Sequence, residues 1–125
     1  MATITSVGRV LVPVKDQDDA IAFYTKTLGF SLTADVPFGD GARWVEVAPP
    51  AGGTTIALVP PQGRFEPGRM TGIGLMSPDP RALHAELGAK GVDVDADVLG
   101  GDGTVPLLFF FRDNNGNQLM VAEER

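Results

Sequence analysis

The sequence contains no cysteine, one histidine and no long apolar run. Without cysteine the chain forms neither a disulfide nor a thiolate metal site. No window approaches the ~18 uninterrupted apolar residues that a membrane-spanning helix requires. The opening segment MATITSVGR also lacks the apolar centre of a signal peptide. We therefore expect a cytoplasmic protein without a membrane partner.

Basic residues are also in short supply. Lysine and arginine number 10 against 16 aspartate and glutamate, which gives a formal charge of −6, and the basic positions are scattered. Because phosphate contacts require clustered basic residues, nucleic acid is not an expected partner. The 125 residues, 43% of them hydrophobic, are enough for one domain with a buried core. The acidity suits a solvated surface more readily than a site for a cationic ligand.

The stretch RVLVPVKDQDDAIAFYTKTLGF, residues 9–30, predicts a strand followed by a helix. Valine alternates with other residues at its start, which is the period of a strand with two distinct faces. Asp16 then stands where a helix N-cap belongs, and two further aspartates occupy the first turn. Apolar residues follow at helical spacing, and Gly29 offers a left-handed stop.

The rest of the chain predicts further strands and a second helix. The first half continues with strands at 30–36, 43–47 and 54–59, and Phe38-Gly39-Asp40-Gly41 predicts a turn between the first two. A linker rich in proline and glycine covers about 61–69. The second half predicts a strand at 71–76, a helix at 81–90 capped by Asp79, and strands at 107–112 and 118–122. Between the helix and these last strands, 92–99 predicts a ragged strand or a pair of short pieces.

The two halves match when the first is shifted by 63 residues. The shift places Asp16 on Asp79, Gly53 on Gly116, and the pair Ile56 and Leu58 on Leu119 and Val121. We therefore predict an internal duplication in a single α+β domain spanning 1–125, with tandem βαβββ modules at about 5–60 and 70–123. Each helix covers one face of its sheet, so the other faces, if paired, would enclose a ligand-binding cleft.

These motifs resemble the vicinal oxygen chelate superfamily, which includes glyoxalase I, extradiol dioxygenases, fosfomycin-resistance enzymes and bleomycin-resistance proteins. The resemblance rests on VPVKDQDDAIAFYTKTLGF near the start and FFFRDNNGNQLMVAE at the end, and it covers nearly the whole chain. It implies the tandem-module fold of glyoxalases, with a cleft between curved sheets, and a homodimer.

The resemblance also implies where a divalent metal would bind. In metal-dependent members, ligands come from the first, fourth, fifth and eighth strands, which here correspond to Arg9, Ala57, Gly72 and Met120. None of these side chains offers a hard oxygen or imidazole donor. His84 lies in the second predicted helix, on the other side of the sheet. We therefore expect neither a metal site nor another cofactor.

Strand alternation predicts a mostly apolar cleft with a few polar groups. The predicted ligand-binding residues are Arg9, Trp44, Glu46, Ala57, Gly72, Gly74, Phe109, Gln118 and Met120. Two alternatives stay open at this point: Trp44 fills the core instead, or Arg9 and Glu46 form a purely structural ion pair. Phe110 is expected in the core, Phe111 is left open, and Phe38 and Phe65 are lid or dimer-contact candidates in loops rich in glycine and proline.

The leading functional hypothesis is a metal-independent protein of the bleomycin-resistance-like branch that binds a hydrophobic or aromatic compound, such as an antibiotic, in its cleft. Whether the protein is an enzyme is left open, and no catalytic residue is assigned. One alternative is a metal-independent enzyme that uses Arg9 as electrophile and Glu46 as general base. Less favoured alternatives are a metal-dependent lyase or dioxygenase and a scaffold whose cleft is a relic.

Overall fold

The chain repeats the order strand, helix, strand, strand, strand. The computed structural model describes residues 2–39 and 41–124. Within them the strands and helices are β1 (Arg9–Pro13), α1 (Gln17–Ala22), β2 (Ser31–Pro37), β3 (Arg43–Ala48), β4 (Thr55–Val59), β5 (Met70–Ser77), α2 (Pro80–Ala89), β6 (Asp93–Val94), β7 (Leu108–Arg112) and β8 (Gln118–Glu123). No helix in this described part of the chain is long and apolar enough to cross a membrane.

The strands form two four-stranded sheets with the same internal order. The first sheet runs β1-β4-β3-β2 and the second β5-β8-β7-β6. In each sheet the outer pair, β1 with β4 and β5 with β8, is parallel, and the other pairs are antiparallel. Two compact units result, one ending at Pro67 and the other beginning at Gly68, within the predicted linker region. The predicted α+β class and the two-module fold are confirmed.

The first unit buries one face of its sheet. The fully or almost fully buried side chains there are Val12, Val14, Ala20, Tyr24, Val45, Val47, Ile56 and Leu58. Asp16 caps α1 as predicted, since its side chain accepts a hydrogen bond from the Asp19 N–H at 2.9 Å. The Gln17 side chain fastens the start of the helix to the sheet by donating to the carbonyls of Arg43 and Leu58, each at 2.9 Å.

The first helix widens before it ends, which the sequence pattern did not predict. A π-helical turn, Phe23–Thr27, follows α1, and the Leu28 N–H donates to the Phe23 carbonyl five residues back at 3.1 Å. The wider turn accompanies the burial of Tyr24, whose ring packs edge-on against Phe30. Gly29 then takes φ of 81°, the left-handed stop that the sequence predicted.

The loop between β2 and β3 can be compared with its prediction only at its ends. Asp40, in the predicted turn Phe38-Gly39-Asp40-Gly41, lies outside the described residues. On either side of it, the Phe38 N–H donates to the Ala42 carbonyl at 2.9 Å, so the chain does reverse there.

The second unit buries the equivalent face of its sheet. Asp79 caps α2, with Pro80 in the first turn as predicted. The buried side chains include Leu87, Phe109, Phe111, Leu119 and Val121. Of the two possibilities for 92–99, the structure shows short pieces: Asp93–Val94 form a strand, and Leu99 makes an isolated bridge to Leu108.

The pairing register of the strands shows that the shift of 63 residues between the halves does not hold for every strand. Leu11 pairs with Ala57 in the first sheet and Gly74 pairs with Met120 in the second, which agrees with the shift of 63 residues. On β3, however, Glu46 pairs with Ala57, whereas on β7 it is Phe110 that pairs with Met120. One extra residue therefore precedes β7, and a one-residue slip moves every side chain of a strand to the opposite face.

Candidate functional site

The first sheet has one face that α1 does not cover, here called the helix-free face. Cross-strand partners share a face of a sheet, and Val45 and Val47 occupy the buried one. The opposite parity and the register assign the following side chains, among others, to the helix-free face: Arg9, Leu11, Ala34, Val36, Trp44, Glu46, Thr55 and Ala57. The structure thus places four of the predicted site residues, Arg9, Trp44, Glu46 and Ala57, on one face of this sheet.

Glu46 is the polar centre of the helix-free face. Its Oε2 accepts a hydrogen bond from Trp44 Nε1 at 2.6 Å, and its Oε1 accepts one from the Thr55 hydroxyl, also at 2.6 Å. Arg9 Nε lies 3.4 Å from the same Oε2, and the Glu46 side chain is only 12% exposed. Arg9 and Glu46 therefore form an ion pair, but the alternative in which this pair has no ligand role stays a prediction.

These partners fix the charge of Glu46. The hydrogen bonds from Thr55 and Trp44, and to a lesser degree the positive charge of Arg9, hold the pKa of Glu46 below its usual 4.5, although burial opposes them. The group is thus a carboxylate at neutral pH. A carboxylate stabilised in this way is a poorer proton acceptor than a free one. The surroundings of Glu46 therefore suit a structural role, in which the carboxylate holds its partners in place.

Arg9 is anchored at only one of its nitrogens. Its side chain is 52% exposed, and Nε faces Glu46. Among the described residues, its Nη1 and Nη2 atoms have no polar partner. The guanidinium carries five N–H donors in a planar fork, so the described residues leave most of its donors without an acceptor.

Apolar side chains surround this polar group. Trp44 is partly exposed, and its ring lies edge-on to Phe38 with ring centroids 5.9 Å apart. Phe38, Val36 and Leu11 are 62%, 50% and 46% exposed. Trp44 therefore does not fill the core, and that alternative is wrong. Leu11, Val36 and Phe38 were missed as site residues, although the alternation that placed Arg9 on this face also places Leu11 there.

Ala57 does not provide open space in this structure. It lies between Leu11 and Glu46 in the sheet and is fully buried. The expectation that its small side chain leaves accessible volume is therefore not met, because the residue has no accessible surface.

The second sheet carries Gly74, Gln118 and Met120 on its own helix-free face. The Gln118 side chain accepts from Arg112 Nη1 at 3.3 Å, and Arg112 also pairs with two aspartates of its unit. Gly74 lies under the tip of Met120, since a Cβ there would stand 3.1 Å from Met120 Cε. Gly72 has φ of 76°, so its backbone conformation itself favours glycine.

Phe109 lies on the buried face of the second sheet, and its predicted place in the site is wrong. It is fully buried, with its ring edge-on to His84 at 5.1 Å between centroids. The physical reason is the extra residue before β7, which reverses the parity. Phe110, expected in the core, is instead the partner of Met120 on the helix-free face, and Phe111 is buried.

The positions equivalent to the superfamily's metal ligands do not fit a divalent ion. Arg9 contributes only donors, Ala57 and Gly72 have no ligating group, and Met120 has a soft thioether. Within residues 2–39 and 41–124, no group of three or more histidine, aspartate or glutamate side chains is arranged to hold a metal. His84 lies away from these positions, with Nε2 2.6 Å from the Asp95 carbonyl oxygen.

The repeated βαβββ units, each with a sheet face free of its helix, define a glyoxalase-like protein. Comparison with known proteins agrees: a family model described as Glyoxalase/Bleomycin resistance protein/Dioxygenase superfamily matches residues 6–121. The chain belongs to this superfamily.

Several solved structures are similar over the whole chain. TnmS3, an antibiotic binding protein from Streptomyces sp. CB03234, is 34% identical with a TM-score of 0.86, and the match covers 100% of both chains. A superfamily member from Sphaerobacter thermophilus DSM 20745 is 31% identical with a TM-score of 0.89, covering 97% of this chain and 98% of that one.

The uncharacterized protein YetH of Bacillus subtilis is 42% identical over 57 residues, which are 46% of this chain and 48% of YetH.

Proposed function

We propose that the protein binds a small hydrophobic or aromatic molecule, with antibiotics as the first compounds to test, and needs no divalent metal to do so. The observation that carries the proposal is Trp44, a partly exposed indole held on the helix-free face by its hydrogen bond to Glu46. Similarity to TnmS3, described as an antibiotic binding protein, supports it.

The surroundings of Trp44 suit an aromatic ligand. Its Nε1 is already bonded at 2.6 Å, so the ring is fixed without help from a ligand. Phe38 beside it is 62% exposed and Leu11 46% exposed. Pre-positioned aromatic and aliphatic side chains bind planar apolar molecules by stacking and by removing both surfaces from water.

Enzyme alternatives receive less support. In a metal-independent reaction Glu46 would act as the base, but its pKa is lowered by bonds to Thr55 and Trp44. For a metal-dependent reaction, the donor chemistry of Arg9 and Met120 is unsuitable. The cleft between modules, the homodimer and the cytoplasmic location predicted above stay predictions.

The test uses the fluorescence of Trp44, the one tryptophan of the chain. Titration with a panel of aromatic antibiotics, in buffer containing EDTA, should give saturable quenching with at least one compound. Leu11→Ala should weaken the binding of that compound about threefold to tenfold, because about 1 kcal/mol of apolar contact is lost. Leu32→Ala is the matched control, since Leu32 is 45% exposed but shares the face of Val47.

The results of this titration distinguish the proposed binding function from the metal-dependent and enzyme alternatives. If quenching requires added Zn²⁺ or Ni²⁺, the metal-independent proposal is wrong. If the bound compound is chemically converted and Glu46→Gln abolishes the conversion, the enzyme alternative replaces it. Equal loss of affinity in Leu11→Ala and Leu32→Ala would place the ligand elsewhere.

A further inference from the structure

We propose that the ligand carries an anionic oxygen group next to its aromatic ring and that Arg9 binds this group. The inference rests on the proposed function and narrows it to a chemical class: aromatic carboxylates, sulfonates and phenolates. It depends on the contrast between Arg9 and two other arginines, Arg43 and Arg112, whose guanidinium groups are paired with carboxylates.

Both arginines donate their guanidinium N–H groups to carboxylates within the protein. Arg43 is held by Asp18 and Asp35, with each closest contact at 2.8 Å. Arg112 is held by Asp93 at 2.9 Å and Asp95 at 2.8 Å. Such pairs occupy the planar fork of the guanidinium with carboxylate oxygens, which is the geometry that it prefers.

Arg9 has the opposite arrangement. Its only polar side-chain contact among the described residues is from Nε to Glu46 at 3.4 Å, and the side chain is 52% exposed. The contact at Nε orients the group while Nη1 and Nη2 keep their donors. An arginine positioned in this way is ready to form a charge-assisted, bidentate pair with an incoming anion.

Glu46 does not offer an equivalent site for a cation. Both of its oxygens already accept short hydrogen bonds, Oε1 from Thr55 and Oε2 from Trp44, each at 2.6 Å. The side chain is also only 12% exposed. The charge that this surface presents to a ligand is therefore the positive charge of Arg9, even though the whole chain carries −6.

Arg9 and Trp44 are also close enough to act on one small molecule. Both reach the same atom, Glu46 Oε2, at 3.4 Å and 2.6 Å. A ring that packs against the indole thus places its substituents within reach of the guanidinium. The site combines an apolar surface with one oriented cation, and the ligand that fits it combines an aromatic ring with an acidic group.

The experiment compares two fluorescent probes with one aromatic skeleton. 8-Anilino-1-naphthalenesulfonate carries a sulfonate, and N-phenyl-1-naphthylamine lacks it. Energy transfer from Trp44 to each probe reports binding of the probe to the protein, and the Arg9 variants then test the place of binding. Arg9→Gln removes the proposed cation, Arg9→Lys keeps a charge without the fork, and Arg64→Gln makes the same charge change in an exposed loop.

We expect Arg9→Gln to weaken binding of the sulfonate probe about tenfold, because one hydrogen bond to a charged group is lost. Binding of the neutral probe should be unchanged. The affinity of Arg9→Lys for the sulfonate probe should lie between the affinities of the wild-type protein and Arg9→Gln. The affinity of Arg64→Gln should equal that of the wild-type protein. If Arg9→Gln weakens both probes equally, or neither, the inference is wrong although the proposed function stands. If neither probe binds the wild-type protein saturably, the inference is wrong, and the antibiotic titration decides the proposed function separately.

Discussion

Trp44 and Glu46, two residues apart on β3, are joined by a hydrogen bond of 2.6 Å from the indole Nε1 to the carboxylate Oε2. Alternation along a strand puts them on one face, and the bond fixes the orientation of the indole. Glu46 Oε1 is occupied in turn by Thr55 of the adjacent strand. The aromatic part of the proposed site is thus held by the sheet itself.

Glu46→Gln should lower the free energy of unfolding by about 1–2 kcal/mol at pH 7, because charge-assisted hydrogen bonds are stronger than neutral ones. The pKa of Glu46 is lowered in the folded protein, so its contribution is complete above the usual value of 4.5 and is lost as the pH falls below it. The difference between variant and wild-type protein should therefore shrink in urea denaturation below pH 4.5.

Glu86→Gln is the control for that measurement. Glu86 lies on the surface of α2, 3.4 Å from Lys90, and such exposed pairs contribute only about 0.3–0.5 kcal/mol. A difference between Glu46→Gln and wild-type protein that grows on acidification would contradict the role assigned to the carboxylate.

Phe109→Ala and Phe110→Ala test the corrected register of β7. Phe109 is fully buried against His84, so its truncation should cost about 3–5 kcal/mol of unfolding free energy. Phe110 is only partly buried, and its truncation should cost about half as much. Chemical denaturation of both variants decides the order, and a larger loss for Phe110→Ala would refute the assigned faces.

Gly72 and Gly74 should respond differently to alanine. At Gly74 a new Cβ meets only the flexible end of Met120, at 3.1 Å, so we expect a loss below about 1 kcal/mol. At Gly72 nothing crowds the Cβ, but φ is 76°, and forcing alanine into that region costs about 1–2 kcal/mol. Equal thermal unfolding midpoints for the two variants would show that backbone conformation does not matter at Gly72.

Asn117 is expected to be structural. It is 1% exposed, its Nδ2 donates to Asp113 Oδ2 at 3.1 Å, and its Oδ1 accepts from the Gly68 N–H at 3.1 Å. Asn117→Ala leaves buried groups without these partners and should cost about 1–3 kcal/mol of unfolding free energy. The exposed neighbour Asn114 is the control, and Asn114→Ala should stay within about 0.5 kcal/mol of the wild-type protein in the same assay.

The sequence predicted correctly those features that depend on interactions between residues close together in the chain. The caps at Asp16 and Asp79 were found because an N-cap aspartate satisfies backbone donors only a few residues away. The left-handed stop at Gly29 and the strands near 43–47 and 54–59 were predictable for the same reason. The wider helical turn at Phe23–Thr27 was not, since no residue pattern distinguishes it from an ordinary helix.

The amino-acid sequence by itself determined the α+β class, the duplication and the absence of hard metal donors at Arg9, Ala57, Gly72 and Met120, because residue type and spacing decide these. Only the tertiary structure decided that Phe109 is buried while Phe110 is not, since one extra residue reverses a strand's parity. It also decided that Glu46 holds Trp44 and Arg9 together, because hydrogen bonds between side chains depend on distances that no spacing along the chain specifies.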